Sequence, residues 1–334
     1  AIFVFIAVVG AASTVVAITV LSPAKPEVSS SEPARRSGLL DFDWVGTALS
    51  AALLLTSMLA VTFAMDLGWS SPFIVGGFAS SAILFAAFIL WERRRPAPML
   101  PLSLFRSAAF SIGSAARFVS FMGGSSTFFL MPFFLVAGLG LTTAEAALYL
   151  MPAAATMTVF GPLSGRIADK IGPRIPAVVG MSLSTISMYL FSLVSLDTSP
   201  VMIAVASGLS GMGMSIFMAP NTSLILGSAA RQNYGIVSAF LNLTRNTAHI
   251  IGIAIPTAVV VAVMSSLGYE ADLSDPEKLK DIELRAAYAS AMARAFQVSV
   301  VMMLVAAVLA LVAPSSTRKA ADEEAKAPAQ ATSR

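Results

Sequence analysis

Residues 161–174 read Gly-Pro-Leu-Ser-Gly-Arg-Ile-Ala-Asp-Lys-Ile-Gly-Pro-Arg. The stretch joins two apolar runs, 144–164 and 173–194, each close to the roughly 20 residues a helix needs to span a bilayer. Glycines there let two helix ends turn and pack closely. An Asp at such a turn can accept hydrogen bonds from a helix N-terminus, where the dipole favours an anion. The plainer reading is a basic loop that only sets topology.

The pattern repeats outward from that turn. Apolar runs long enough to span fall near 1–22, 44–66, 70–91, 110–137, 144–164, 173–194, 200–226, 236–265 and 292–313, about nine in all. The composition agrees. Hydrophobic residues make up 57% of the 334, charged residues 12%, and the mean hydropathy is +0.82. A soluble domain averages roughly 25% charged, and only a bilayer absorbs this much apolar surface. Cys is absent and His249 is the single histidine, which leaves no disulfide framework and no ordinary zinc or haem site. No cofactor is expected. The pI near 9.3 could suggest nucleic acid, yet the basic residues lie in short loops between apolar runs, so no nucleic-acid partner is expected. No P-loop, no His-Glu-x-x-His and no Cys–His pair points to an enzyme.

The loops predict orientation. With residue 1 outside, the inside segments hold Lys25, Arg35, Arg36, Arg93, Arg94, Arg95, Arg106, Arg166, Lys170, Arg174, Arg231 and the tail residues Arg318, Lys319, Lys326 and Arg334. The outside turns 67–69, 138–143 and 195–199 hold no Lys or Arg. Only the loop 266–287 has Lys278, Lys280 and Arg285, offset by six acids. The bias places the C-terminus in the cytoplasm. Trp44 and Trp91 fall at inner ends and Trp69 at an outer turn, where indoles favour the interface. Residues 23–43 read as a cytoplasmic linker, 268–286 as a charged external loop with a short helix from Pro276 to Arg285, and 314–334 as a disordered cytoplasmic tail. The apolar start at Ala1 has neither Met nor a basic n-region, so a signal peptide is not read and an N-terminally incomplete chain is expected.

The segment 161–174 resembles the loop signature of the major facilitator superfamily, G-x-x-x-D-[RK]-x-G-x-[RK], through Gly165, Asp169, Lys170, Gly172 and Arg174. Further stretches narrow the resemblance: Asp43-Trp44-Val45-Gly46, Trp91-Glu92-Arg93-Arg94-Arg95, Leu102-Ser103-Leu104-Phe105-Arg106, Gly235-Ile236-Val237-Ser238-Ala239 and Asn242-Leu243-Thr244-Arg245-Asn246. Together they look like the fourteen-helix drug:proton antiporters of that superfamily, the QacA/EmrB-like group. The resemblance implies an all-α integral membrane fold: residues 1–22 as the last helix of an N-terminal bundle, 23–43 the linker, 44–91 two inserted central helices, 92–109 a cytoplasmic loop and 110–313 a C-terminal six-helix bundle. It implies proton-coupled export of amphipathic drugs or small molecules across the cell membrane by alternating access between two bundles. The implied partners are membrane lipid, a small-molecule substrate, protons and the missing N-terminal helical bundle. The rivals are a dedicated exporter of one metabolite, such as a siderophore or antibiotic, and a non-transporting truncated scaffold.

Polar residues inside a span are functional suspects, because charge in hydrocarbon costs a few kcal/mol even on lenient scales. Every acid falls at a span end, in a loop or in the tail, with Asp66 and Glu145 at outer ends and Glu92 at an inner end. The coupling carboxylate is therefore expected in the absent half. Ser238, Asn242, Arg245, Asn246 and His249 fall on one helical face, which must meet protein or water rather than lipid. That face reads as a cavity wall, or as a polar seam between helices. The family pattern usually has Gly where His249 stands, so its role is not carried over. In the run 110–137, Arg117 shares a face with Phe121, Gly124 and Phe128. Arg117 can instead snorkel to the headgroups, while Phe121, Phe128 and Met131 can form a soft apolar substrate wall. The stripe Gly208, Gly211, Ser215 and Ala219 reads as close helix packing. Pro220-Asn221 is expected to break its helix and to leave carbonyls needing new partners.

Overall fold

The computed structural model describes residues 10, 14, 43–67, 71–94, 102–230, 233–269 and 282–314. The chain divides into two units, Ala1–Asp43 and Trp44–Arg334. In the first, Gly10 and Thr14 are helical, and the Thr14 hydroxyl donates to the Gly10 carbonyl at 2.8 Å. The rest of the expected first span and of the linker lies outside the described residues, as do the loop 270–281 and the tail from 315.

The second unit is all helical among its described residues. Its helices are α1 (Trp44–Leu67), α2 (Pro72–Arg94), α3 (Ala108–Phe133, continued by a π-helical turn Phe134–Gly138), α4 (Thr143–Ile171), α5 (Arg174–Phe191), α6 (Pro200–Gly227), α7 (Tyr234–Ser266) and α8 (Ile282–Val312). A short 3₁₀ turn, Leu102–Arg106, precedes α3. Seven of them, α2 to α8, are long and apolar enough to cross a membrane, and α1 is apolar over Trp44–Ala60.

Local chemistry sets the ends. At the start of α4, the Thr142 hydroxyl accepts from the Glu145 amide, and the Glu145 carboxylate accepts from the Thr142 amide at 2.8 Å. This capping box satisfies two orphan donors at once. At its far end Gly172, at φ +86°, makes a turn that a side chain would strain. The expected loop 165–174 is therefore mostly helix: Gly165, Asp169 and Lys170 ride on α4, and only Gly172-Pro173 separate it from α5. Likewise α8 begins at Ile282, well before the apolar run at 292. The early turns carry Glu283 and Arg285 but bury Ala287, Tyr288 and Ala291, so hydropathy alone cuts the helix short.

α6 packs most extensively on α4 and α5, α3 packs on α7 and α8, and α1 pairs with α2. The core between α3, α5, α6 and α8 is filled by Met131, Phe134, Met181, Met188, Phe217, Tyr288 and Phe296, all essentially inaccessible. Lipid tails are as apolar as such side chains, so close packing and interhelical hydrogen bonds must hold spanning helices together. The α4–α6 contact shows both. Ser207 donates to the Leu150 carbonyl at 3.1 Å, Thr156 to the Gly208 carbonyl at 2.9 Å, and Ser164 to the Ile216 carbonyl at 3.0 Å. At the crossing, a Cβ on Gly211 would sit 2.1 Å from the Ala153 carbonyl oxygen.

The break expected at Pro220-Asn221 does not occur, and α6 runs on to Gly227. Pro220 has no amide to offer the carbonyl four residues earlier. That carbonyl belongs to Ile216, and the Ser164 hydroxyl takes the amide's place. Asn221 is buried and donates to the Gly113 carbonyl of α3 at 3.0 Å.

Candidate functional site

α3 and α7 run parallel. Phe110 stacks on Phe240 with centroids 5.5 Å apart, Phe121 meets His249 at 5.1 Å, and Gly252 lies against the Met122 backbone. Residue numbers therefore climb together along the two helices. Arg117, one turn before Phe121, lies level with Arg245, one turn before His249, at the mutual depth set by these contacts.

Arg117 is buried. Its Nη1 donates to the Thr222 hydroxyl of α6 at 3.0 Å, and its guanidinium carbon lies 5.3 Å from the Phe121 centroid, a cation–π contact. Its Nε is buried without a hydrogen-bond partner. Arg245, one turn before His249, brings a second positive charge to this level. Among the described residues, neither is ion-paired with a carboxylate.

The Ser125 hydroxyl bridges α3 to His249, 2.7 Å from Nδ1, and also lies 2.6 Å from the Phe121 carbonyl oxygen. A carbonyl only accepts, so Ser125 either donates to Phe121 and accepts from Nδ1–H or donates to Nδ1 itself, and the imidazole tautomer decides between the two.

The expected residues do not all converge. Arg117, Phe121, Arg245 and His249 come together between α3 and α7. Asn242 and Asn246 lie on the same helix but are exposed, and Asn242 donates to the Ser238 carbonyl one turn back at 3.1 Å. Phe128 is 63% exposed, whereas Met131 is wholly enclosed in the core. In the segment 161–174, Asp169, Lys170 and Arg174 are exposed. A Cβ on Gly165 would meet nothing within 4 Å, whereas at the α4–α6 contact a Cβ on Gly211 would clash with the Ala153 backbone.

Beside the arginine level lies a wide-open, shallow cavity of about 810 Å³ between α4, α6 and the start of α7. Met157, Gly161, Ser215, Met218, Thr222 and Tyr234 line it. Thr222 is the acceptor of the Arg117 hydrogen bond, so the cavity wall and the arginine level meet there. The stripe expected to pack helices divides: Gly208 and Gly211 lie against α4, whereas Ser215 and Ala219 face the cavity. Sequence reasoning passed over Thr222 and Ser125. The usable signal for Thr222 was its place directly after Pro220-Asn221, where a helix has rearranged its hydrogen bonds.

Residues 42–253 match the family model of the Major Facilitator Superfamily. The chain is 28% identical over 261 residues to the tetracenomycin C resistance and export protein of Streptomyces glaucescens, covering 77% of this chain and 46% of that protein. It is 27% identical over 240 residues to the multidrug resistance protein Stp of Mycobacterium tuberculosis, covering 72% and 44% respectively. The chain thus spans less than half the length of these relatives. Its fold resembles a bacterial homolog of the human lysosomal transporter Spinster in an inward-facing, unoccupied conformation, with a TM-score of 0.50 and 16% identity over 79% of this chain and 68% of that one.

Proposed function

The chain belongs to the major facilitator superfamily, and from that premise we propose that it is the C-terminal portion of a secondary transporter that exports amphipathic drugs or small molecules in exchange for protons. One observation carries the reading. α7 is apolar enough to span a membrane, yet it leaves Ser238, Asn242 and Asn246 exposed on one face, with the partly exposed Arg245 and His249 beside them. Lipid does not tolerate such a face, so it meets water or protein. A second helical bundle across a water-filled cavity supplies both, and rocking of the two bundles gives alternating access. The names of the relatives, one a tetracenomycin C resistance and export protein and one a multidrug resistance protein, support the substrate class.

In this reading α4, α6 and α7 form one wall of the substrate path, with the 810 Å³ cavity as the apolar half-site. The reading assigns the proton-carrying acid to the other bundle, in keeping with the lack of a mid-span carboxylate among the described residues. The turn at Gly172 and the C-terminus lie on the cytoplasmic side, from the basic-residue bias.

The test is dye movement in proteoliposomes under an imposed proton gradient. Vesicles with the 334-residue chain alone should show none. Vesicles with the chain joined to the segment encoded immediately upstream should move amphipathic dye, and a protonophore should abolish it. Gradient-driven movement by the 334 residues alone would replace the two-bundle reading with a homodimer. Movement indifferent to the protonophore would remove proton coupling.

A further inference from the structure

We infer that the site takes amphipathic anions, molecules with an apolar body and a carboxylate, sulfonate or phenolate, in preference to organic cations. The inference rests on the transporter reading above and names the charge of its substrate.

The geometry starts with two guanidiniums at one level. The parallel contacts Phe110–Phe240 and Phe121–His249 bracket Arg117 and Arg245 between the same turns of α3 and α7. Like charges held together in a low-dielectric span demand a counter-anion or a deep water channel. Among the described residues no carboxylate pairs with either. The groups that touch Arg117 are the Thr222 hydroxyl and the Phe121 ring, with His249 against the same ring.

Arg117 is not loosely placed. Burial, the bond to Thr222 and the Phe121 ring fix its fork, yet Nε keeps a hydrogen with no acceptor. An unfilled buried donor on a fixed guanidinium is a preorganised anion receptor. Arg245, partly exposed, adds a second positive charge at the same level from the other helix. The apolar part of the ligand has its own place. Thr222 ties the arginine level to the cavity, whose other lining groups include Met157, Met218 and Tyr234. An organic cation would gain the same apolar contacts but would face two positive charges on this wall.

The test uses the full 334-residue chain in nanodiscs of zwitterionic lipid and three fluorescent probes that share one body: pyrenebutyrate, pyrenebutanol and pyrenebutylammonium. The neutral probe reports the apolar cavity, and the ratios report charge. The anion should bind at least about 10-fold more tightly than the cation, the size of one charge-assisted hydrogen bond. Arg245→Gln should cut the ratio of anion to neutral affinity by about 10-fold, and Arg117→Lys, which keeps charge but loses the fork, should cut it by less. Equal or tighter binding of the cation would overturn the inference while leaving the cavity standing. An anion ratio unmoved by Arg245→Gln in folded protein would also overturn it. No binding of the neutral probe would remove the cavity itself. Displacement of the anionic probe by phosphatidylglycerol at a few mole per cent would reassign the arginines to a lipid headgroup and overturn the substrate inference.

Discussion

Gly211→Ala is the substitution against which the packing of this bundle can be measured most directly. A Cβ at Gly211 would lie 2.1 Å from the Ala153 carbonyl oxygen and 2.7 Å from its Cα and carbonyl carbon. All three are backbone atoms, so no rotamer change relieves the contact. A carbon and an oxygen rest at about 3.3–3.6 Å, so α4 and α6 must part locally by about 1 Å. The bonds Ser207 to Leu150, Thr156 to Gly208 and Ser164 to Ile216, at 3.1, 2.9 and 3.0 Å, straddle that point and would leave hydrogen-bonding range. Overpacking costs about 1–3 kcal/mol, and interhelical bonds in membranes average about 0.6 kcal/mol each, which gives about 3–5 kcal/mol together. Alanine recovers about 1 kcal/mol of helix propensity, leaving a net loss of about 2–4 kcal/mol. The assay is SDS-driven unfolding in mixed micelles, followed by circular dichroism. The control is Gly165→Ala in the same helix pair, where an added Cβ meets nothing within 4 Å and which should gain about 0.5–1 kcal/mol. If the two variants unfold within about 0.5 kcal/mol of each other, the small scatter expected of surface changes, then close approach at Gly211 does not hold α4 against α6.

Three further outcomes follow from the same structure. Ser164→Ala should leave the Ile216 carbonyl with no donor beside Pro220 and cost about 1–3 kcal/mol in that unfolding assay; an unchanged midpoint would show that the carbonyl finds another donor. Asp169 is exposed at the end of α4. In the two-bundle transporter, Asp169→Asn should shift the inward–outward distribution by the roughly 1.5–3 kcal/mol of a charge-assisted bond, read by double electron–electron resonance. Substrate affinity should stay constant once that population change is removed, and an unmoved distribution would return the turn to setting topology alone. The chain has no Cys, so single cysteines report orientation without background. Ser103→Cys should react with an impermeant maleimide only after permeabilisation and Asp197→Cys from outside; the reverse pattern would invert the topology.

The fold class was open to reading because a bilayer leaves a coarse mark. Spans must be long, apolar and helical, and that constraint does not depend on which neighbour each helix touches. Where the mark is local, it misled. At α8 the polar residues Glu283 and Arg285 mask a helix whose other face buries Ala287 and Tyr288. At Pro220 the sequence of one helix predicts a break, while the donor that prevents it sits on another, at Ser164. A breaker signal states that a backbone partner is lost. It does not state whether a hydroxyl elsewhere in the chain is positioned to replace it.

The candidate site divides along the same line, and the division has a physical cause. In water, apolar residues point inward, so hydrophobic periodicity tells core from surface. In a membrane the core and the surroundings are both apolar, and that contrast disappears. Phe121, Phe128 and Met131 all suited an apolar wall by spacing. The structure puts Phe121 against His249, leaves Phe128 63% exposed and encloses Met131 in the core. Periodicity assigns side chains to a face; it does not say how far along that face the neighbouring helix stays in contact. Polar residues keep their contrast with both lipid and core, and their positions are constrained wherever the chain places them. Arg117 accordingly lies beside Arg245 and His249, more than a hundred residues away in sequence, each bringing a need that an apolar environment cannot meet. The arginines lack a carboxylate among the described residues, and the imidazole has one nitrogen engaged by Ser125. In a bundle of this kind the unmet polar needs, more than the largest apolar surface, point to where a ligand or a proton must go.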